Sequence, residues 1–403
     1  MHFLFTRTAS FLLAFGLFFT LSCSGLKHTE SDPSVGADQN ANFEQRLQQL
    51  NEQIRTNSSN GHYRTEKAEL LASRARTLSA PSARLPVYTA LFQTAEEARI
   101  HTPHVSQRID ALIERQWNRE YQEALRLMQQ SEEDSSQPSP ALTAHLRNAI
   151  TLAPDNSEGY RLLTSVQYNG GDLSDAIQTT RDALNVITDD DTRILFREKL
   201  AYLYLESGFG DEAIAIYREI AAEKPEEIQL RHGLVNALII NGYHEEAVSE
   251  LKTLLTEHPS RVSYQETLAV ENFNYFMQKY EEMLNGSSAN IDPDELLALL
   301  EVSGEIYRNL QEETPMREEL TYNAAQFYKE AAQKLEQLAA MPNLNRNSLN
   351  QVIADYRKNA LPHWERLAKI NPDNTGYAYS LYELYISLDL TEEARQLEET
   401  YNF

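Results

Sequence analysis

Few side chains in this sequence have the types and spacing that catalysis or metal binding requires. His101 and His104 form the pair that most resembles a metal site, because imidazole nitrogens are common zinc ligands. Pro103 lies between them and opposes a helix that would hold both rings on one face. No third ligand is close in the sequence, so we interpret the pair as part of a loop without a metal.

The motifs of the common enzyme classes are also missing. The sequence has no glycine-rich phosphate loop, no Gly-x-Ser-x-Gly elbow, no His-Glu-x-x-His helix and no cysteine pair for zinc. His244, Glu245 and Glu246 are interpreted as the start of a helix, where acidic side chains suit the helix dipole. Acidic pairs such as Glu132 with Glu133 are too numerous for their spacing to select a catalytic pair. We therefore predict a protein that is not an enzyme and binds no cofactor or metal.

Cys23 is the only cysteine, and it directly follows an apolar segment. Arg7 precedes an uninterrupted apolar run from Phe11 to Phe19, and small residues follow, which predicts a signal peptide over residues 1–22. The run has about half the length that a helix needs to cross a bilayer. A single cysteine excludes intramolecular disulfides, so an exported domain must depend on its hydrophobic core.

The residues around Cys23 resemble a bacterial lipoprotein signal. Ser22 supplies the small residue that this family has before the cysteine, whereas its usual leucine three places before the cysteine is replaced by Thr20. The resemblance implies that the thiol of Cys23 is diacylated, as with palmitate, and that its amino group is acylated. Ser24 follows where an aspartate would favour the inner membrane, so the outer membrane is expected. Simple secretion with a free thiol is the alternative.

The charge of the chain restricts its partners. It has 36 basic and 60 acidic residues and a net charge of −24, and removal of residues 1–22 would take away only one charged side chain, Arg7. Such an acidic surface argues against nucleic acid and against electrostatic adsorption to anionic lipids. Attachment to a membrane would therefore come from acyl chains, of which two or more suffice for stable anchoring.

A regular phase of proline, leucine, glycine and alanine identifies internal repeats. Pro154, Leu163, Gly171 and Ala176 define it, and Leu200, Gly208 and Ala213 repeat it 37 residues later. Pro225, Leu234, Gly242 and Ala247 follow at a step of 34 residues, and Pro259 ends the third unit.

This pattern resembles the tetratricopeptide (TPR) family over residues 157–261. In that family leucine fills the space inside a helix hairpin, glycine permits the turn, and alanine allows close helix crossing. The resemblance implies an all-α fold, a right-handed superhelical solenoid of antiparallel helix hairpins. One departure is Thr188 in place of a proline; another is three extra residues near Asp189 to Asp191, which are expected to lengthen a loop between repeats.

The segments around these units match the pattern less well. Residues 23–62 read as a lipidated, flexible tether up to about Asn40, followed by a short amphipathic helix at Phe43 to Ile54. The periodicity of residues 63–156 predicts helical hairpins that diverge from the TPR pattern, with helices near 68–78, 84–100, 109–130 and 140–152. Residues 262–403 predict longer helices and a last TPR-like hairpin at Pro372, Leu381 and Ala394, with Asp389 at the position of the glycine.

Members of the family bind partners in a concave groove that the first helices of the hairpins line. Projection onto the three matched units nominates Arg161, Ser165, Tyr168 and Asn169, then Glu198, Tyr202 and Glu206, then His232, Asn236 and Ile239. This set lacks the several Lys, Arg and Asn residues of the carboxylate clamp in chaperone-binding members. We therefore do not expect it to capture an acidic peptide terminus.

Two classes of function remain. The first is a scaffold or adaptor of the cell envelope that binds another protein or peptide. The second is a surface lipoprotein that binds glycans or nutrients, because one such family also builds on TPR helices and uses aromatic side chains for sugar. That family normally has more tryptophan than the two present here, Trp117 and Trp364, so protein binding is the preferred interpretation.

Overall fold

The computed structural model describes residues 33–134, 139–285, 293–313, 317–340 and 346–401. All regular structure in these segments is helical. The predicted fold class, an all-α arrangement of antiparallel helix hairpins, is confirmed. The chain forms two compact units, residues 1–116 and 117–403.

The described part of the first unit contains three α-helices, a short 3-10 helix (Pro81–Arg84) and the start of a fourth α-helix. The helices are α1 (Pro33–Thr56), α2 (Gly61–Thr77), α3 (Leu85–His101) and the long α4 (Pro103–Asp134), which continues into the second unit. Helix α1 begins at Pro33, inside the segment interpreted as a tether, so the helix is longer than expected. Proline is favoured in the first turn of a helix, where its missing N–H costs no hydrogen bond.

Thirteen further helices follow among the described residues of the second unit. They are α5 (Pro140–Leu152), α6 (Ser157–Asn169), α7 (Leu173–Val186), α8 (Asp190–Glu206), α9 (Gly210–Glu223), α10 (Ile228–Ile240), α11 (His244–Glu257), α12 (Val262–Leu284), α13 (Pro293–Glu313), α14 (Glu318–Ala339), α15 (Arg346–Ile370), α16 (Thr375–Ser387) and α17 (Thr391–Tyr401). From α5 onward, each helix packs against its neighbours in the sequence. This pattern of contacts is typical of a stack of repeats.

The hairpins turn through one backbone motif that recurs four times among the described residues. Gly171, Gly208 and Gly242 follow α6, α8 and α10 with φ angles of 84°, 79° and 76°, and Asp389 follows α16 with a φ of 58°. After each of these helices two backbone bonds close a Schellman motif, for example Gly171 N to Tyr168 O at 3.0 Å and Asp172 N to Gln167 O at 2.8 Å. Asp389 makes the same turn because aspartate tolerates the left-handed conformation better than most residues.

The alanine of each repeat lies one turn beyond this motif and is inaccessible to solvent. Ala176, Ala213 and Ala247 are 0% exposed, and Ala394 is 1% exposed. Their backbone N–H groups bond to the residue that follows the left-handed one, as in Ala213 N to Phe209 O at 3.2 Å. A larger side chain here would have to displace the facing helix.

The three extra residues near Asp189 to Asp191, in the second of the three matched repeats, lengthen a helix and not a loop. The expectation of a longer loop was therefore wrong. Helix α8 has 17 residues, whereas α6 and α10 have 13 each. Asp189 caps α8 by accepting a hydrogen bond from Thr192 N at 2.9 Å, and Asp190 and Asp191 occupy its first turn. Acidic side chains are favourable at a helix N-terminus, so the insertion extends the helix.

The carboxyl-terminal helices share one core of their own. Buried residues of α12 to α16, among them Phe276, Tyr307, Phe327 and Trp364, form a single apolar cluster. The Tyr377 hydroxyl donates to Glu318 at 3.2 Å and the Tyr385 hydroxyl donates to Glu365 at 3.1 Å. These contacts attach the last hairpin to the longer helices α14 and α15.

None of the described helices is both long enough and apolar enough to cross a membrane. The signal peptide at 1–22, Cys23 and the start of the tether lie outside the described residues and stay predictions. The segment boundaries inferred from the sequence, at 62, 156 and 261, are likewise untested.

Replacement of Ala213 by leucine tests the repeat register. The added side chain has no space at a fully buried helix crossing, and overpacking of this kind costs about 1 to 3 kcal/mol in the free energy of unfolding. Ala215→Leu, at an exposed position of the same helix, is the matched control. Urea denaturation of both variants measures the difference, and equal stability of the two would contradict the register.

Candidate partner-binding surface on the first helices

Two tyrosines from consecutive repeats form the centre of the candidate surface. Tyr168 lies in the last turn of α6 and Tyr202 lies on α8, 34 residues later. Their hydroxyl oxygens are 2.6 Å apart, and their rings meet edge to face with centroids 5.6 Å apart. This geometry is favourable for aromatic pairs, so each ring fixes the orientation of the other.

Lys199 lies against both of these rings. Its Nζ is 5.5 Å from the centroid of Tyr168 and 5.3 Å from that of Tyr202, close enough for cation–π attraction to each ring. The side chain is half-buried, and burial lowers its pKa, with Glu198 opposing the shift. A positive charge is thus held at one place on the surface.

A cavity of about 650 Å³ opens beside this cluster, between α6 and α8. Its walls combine apolar and charged side chains: Ser157, Glu158, Arg161, Thr164, Thr192, Leu195, Phe196, Glu198, Lys199, Tyr202 and Tyr217. Leu195 is 63% exposed, so the cavity has an open apolar edge. Cavities of this size and mixed lining suit one or two side chains of a partner or a small ligand.

Burial dominates the electrostatics of the cavity wall. It raises the pKa of Glu198, which Glu227 raises further, and it raises the pKa of Tyr217 to about 12, with a further contribution from Glu198. The pKa of Tyr202 is also raised, first by burial and then by its hydrogen bond with Tyr168. The tyrosines therefore stay neutral hydrogen-bonding groups at any physiological pH.

The surface continues from the cavity toward the preceding helix hairpin, on α4. The Tyr121 hydroxyl on α4 donates to Glu158 at 3.2 Å, and Glu158 also pairs with Arg161. Trp117 stacks on Tyr121 with ring centroids 4.7 Å apart. These contacts join the first helices of adjacent hairpins by polar and aromatic groups.

On the carboxyl-terminal side, His232 is the next half-buried side chain of the surface. Its Nε2 is hydrogen-bonded to the Tyr264 hydroxyl of α12, and the guanidinium of Arg261 lies 5.0 Å from the Tyr264 ring centroid. Burial lowers the pKa of His232, and Arg261 and Arg231 lower it further. The imidazole is therefore favoured in its neutral form.

The remaining nominated residues differ in their environment. Arg161, Asn169, Glu206 and Asn236 are exposed, whereas Ser165 is half-buried. Ile239 is partly buried against two core clusters, while its neighbour Ile240 is 67% exposed. Of the ten nominated residues, the structure brings Tyr168 and Tyr202 into direct contact; a role for any of them in binding is still a prediction.

Sequence reasoning missed Lys199, Leu195 and Tyr217. The nominated residues of α8 were 198, 202 and 206, whereas Leu195, Lys199, Tyr202 and Glu206 follow one face of that helix at spacings of four, three and four. One signal was present, because Lys199 stands where the neighbouring units have Leu162 and Gly233.

Potential metal ligands do not converge in the described segments. No group of three or more His, Cys, Asp or Glu side chains there is arranged to hold an ion. His101 ends α3 and His104 lies in the first turn of α4, so the two histidines belong to different helices.

Comparison with known proteins gives structural similarity without close relatives. No model of a protein family matches the sequence, and none of the curated proteins matches it. Among solved structures, the chain is similar to a tetratricopeptide repeat protein from Parabacteroides merdae, with 16% identity, a TM-score of 0.38, and 68% of this chain and 99% of that chain covered.

Two further similarities are of the same kind. The C-terminal part of a TPR repeat-containing protein from Cytophaga hutchinsonii has 13% identity and a TM-score of 0.40, with 79% of this chain and 99% of that one covered. YrrB, a TPR protein with an unusual peptide-binding site, has 15% identity and a TM-score of 0.35, with 58% and 96% covered. Because these TM-scores are low, the fold assignment here rests on the hairpins and turns of the chain itself.

Tyr217→Phe tests the buried phenol of the cavity wall through the pH dependence of stability. The pKa of the Tyr217 phenol is about 12 in the folded protein and 10 for an ordinary tyrosine. The folded state therefore holds this proton more tightly than the unfolded chain does. The contribution of the neutral Tyr217 phenol to the free energy of unfolding is complete below pH 10 and is lost as the pH rises toward 12. We expect the variant to lose less stability over this range than the unsubstituted protein in urea denaturation.

Tyr379→Phe, which alters an exposed ring, is the control for loss of a phenol. An unchanged alkaline slope in Tyr217→Phe would show that Tyr217 titrates as freely in the fold as in the unfolded chain.

Proposed function

We propose that this protein is a non-catalytic lipoprotein of the bacterial cell envelope that binds another protein or peptide on the first helices of its repeats. The observation that supports this most is the Tyr168–Tyr202 pair beside a cavity of about 650 Å³. It acts as a scaffold or adaptor and needs no cofactor, metal or nucleic acid.

The side chains of this surface are suited to a polypeptide partner. Interface energy is concentrated in a few aromatic and arginine anchors surrounded by polar contacts, and Tyr168 and Tyr202 have this setting. Both are partly buried before any partner binds, and their mutual hydrogen bond holds them in place. Such preorganisation reduces the entropy that binding must remove.

The envelope location is argued from the sequence alone. The apolar run before Cys23 and the small residues around it support export and acylation, and Ser24 after Cys23 supports the outer membrane. Acyl chains would hold the protein at a membrane surface. A partner of the envelope, such as another protein assembled there, is therefore the expected ligand.

Glycan binding is the alternative, and an exposed ring on α16 beside a second, partly buried ring favours it. Tyr379 is 49% exposed and its ring centroid is 6.4 Å from that of Tyr382. The tryptophans are less suited to stack on sugar, because Trp364 is 1% exposed and one face of Trp117 is covered by Tyr121. Protein binding is preferred for this reason.

Acylation is tested by Cys23→Ala. In a bacterium that processes lipoproteins, the substitution should move the protein from the membrane pellet to the soluble exported fraction, because no acyl chain is attached. Fractionation with a carbonate wash measures the distribution. If the variant still pellets after the wash, the anchor is not at Cys23.

Partner binding is tested by the double change Tyr168→Ala and Tyr202→Ala. Loss of a central aromatic anchor commonly costs about 2 kcal/mol or more of binding free energy, so capture of the main cross-linked partner in intact cells should be abolished. Helix content and melting temperature are measured in parallel.

The exposed ring of Tyr379 supplies the matched control. Tyr379→Ala should leave capture unchanged if the tyrosine pair binds the partner. Capture that survives the double change, in a protein with an unaltered melting temperature, would show that the partner binds elsewhere; dependence on Tyr379 would then favour α16 and the glycan alternative.

A further inference from the structure

We infer that Lys199 determines which partner segment binds: the cavity beside it receives an aspartate or glutamate side chain from the interior of that segment. This inference rests on the proposed function, because it requires a polypeptide on the first helices. It concerns one acidic side chain and not a peptide terminus.

Lys199 differs from the other cations of the first helices in the three matched units. Arginines of these helices are engaged by carboxylates or backbone carbonyls: Arg161 by Glu158, Arg193 by the oxygens of Leu184 and Ile187, Arg197 by Glu219 and Glu223, and Arg231 by Glu257. For Lys199 the described residues show ring contacts and no ion pair. Its ammonium group thus keeps N–H donors that no carboxylate or carbonyl oxygen of the described residues accepts.

The adjacent acid does not fill this role. Glu198 precedes Lys199 directly, and side chains one residue apart on a helix do not face each other. Burial and Glu227 raise the pKa of Glu198 and Lys199 lowers it, so the two charges attract each other, but their side-chain atoms are not within salt-bridge distance. The two side chains line the same cavity without forming a salt bridge.

The tyrosine pair adds a second donor at the same place. A hydrogen bond between two hydroxyl groups uses one of their two protons, and either Tyr168 or Tyr202 can be its donor. The other proton has no acceptor among the hydrogen bonds of the described residues. An ammonium and a hydroxyl donor within one cluster match the two oxygens of a carboxylate.

The position of the cluster favours an internal residue of the partner. Partly buried polar side chains continue on both sides of Lys199, toward Glu158 and Tyr121 in one direction and toward His232 in the other. A chain end would leave one of these sides unoccupied. Leu195, one turn before Lys199, is 63% exposed, so the residue next to the acid in the partner should be aliphatic or aromatic.

Peptide selection with the purified full-length protein tests this inference. Two random libraries of short peptides are used as probes: one displayed between fixed flanking residues, and one with free carboxyl termini. We expect peptides from the flanked library to be enriched for Asp or Glu at one position beside an apolar residue. For a selected peptide, Lys199→Gln should weaken binding about tenfold or more, since it removes a charge-assisted hydrogen bond.

Three variants make the result specific to Lys199. Lys199→Glu should reverse the preference at that position to Lys or Arg, and Lys199→Arg should keep the preference for an acid. Lys252→Gln makes the same substitution at an exposed lysine of α11 and should leave binding unchanged. Thermal melting of each variant confirms that the fold is intact.

The outcomes separate this inference from the proposed function. Selected peptides that show no acidic preference, that bind Lys199→Gln as well as the unsubstituted protein, or that come only from the free-terminus library would overturn the role of Lys199. Their loss in the Tyr168→Ala and Tyr202→Ala variant would still support the proposed function. If no peptide depends on the tyrosines, the proposed function fails and the inference fails with it.

Discussion

The architecture of the described residues from 117 onward depends on one constraint: the apolar face of each hairpin before the last is covered by the helices that follow. The contact between Tyr217 and Gly233 shows how closely this is met, because an added Cβ at Gly233 would lie 2.2 Å from the Tyr217 ring. Tyr217 lies on the second helix of one repeat and Gly233 on the first helix of the next. Packing between repeats therefore needs the smallest residue at one side of the contact.

The same stacking places polar chemistry on the first helices. Side chains there contact neighbours in the stack, as Tyr168 and Tyr202 contact each other, so they are oriented without being fully buried. Arginines there pair with carboxylates of their own repeat, as Arg197 does with Glu219 and Glu223 of α9. In this acidic chain most basic side chains of the first helices are thus already paired. Lys199 differs from them, because it lies against two tyrosine rings beside the cavity and forms no ion pair with a described residue.

The repeat phase could be predicted from the sequence because the backbone turn requires its glycines and the helix crossing requires its alanines. Gly171, Gly208 and Gly242 have positive φ angles, and Ala176, Ala213 and Ala247 lie at fully buried crossings. The extra residues at Asp189 to Asp191 were misread, since their number does not say whether they extend a loop or a helix. Their capping and dipole interactions decided for the helix.

The amino-acid sequence by itself determined the helical class, the register of the three matched units and the turn residues, because these follow from local backbone preferences and repeat spacing. It also nominated Tyr168 and Tyr202, which the structure brings together. Only the tertiary structure decided that Lys199 lies on both rings and that Leu195 opens the cavity edge. These relations depend on how α6 and α8 are rotated against each other, and that rotation arises from packing between repeats, which no spacing within one repeat encodes.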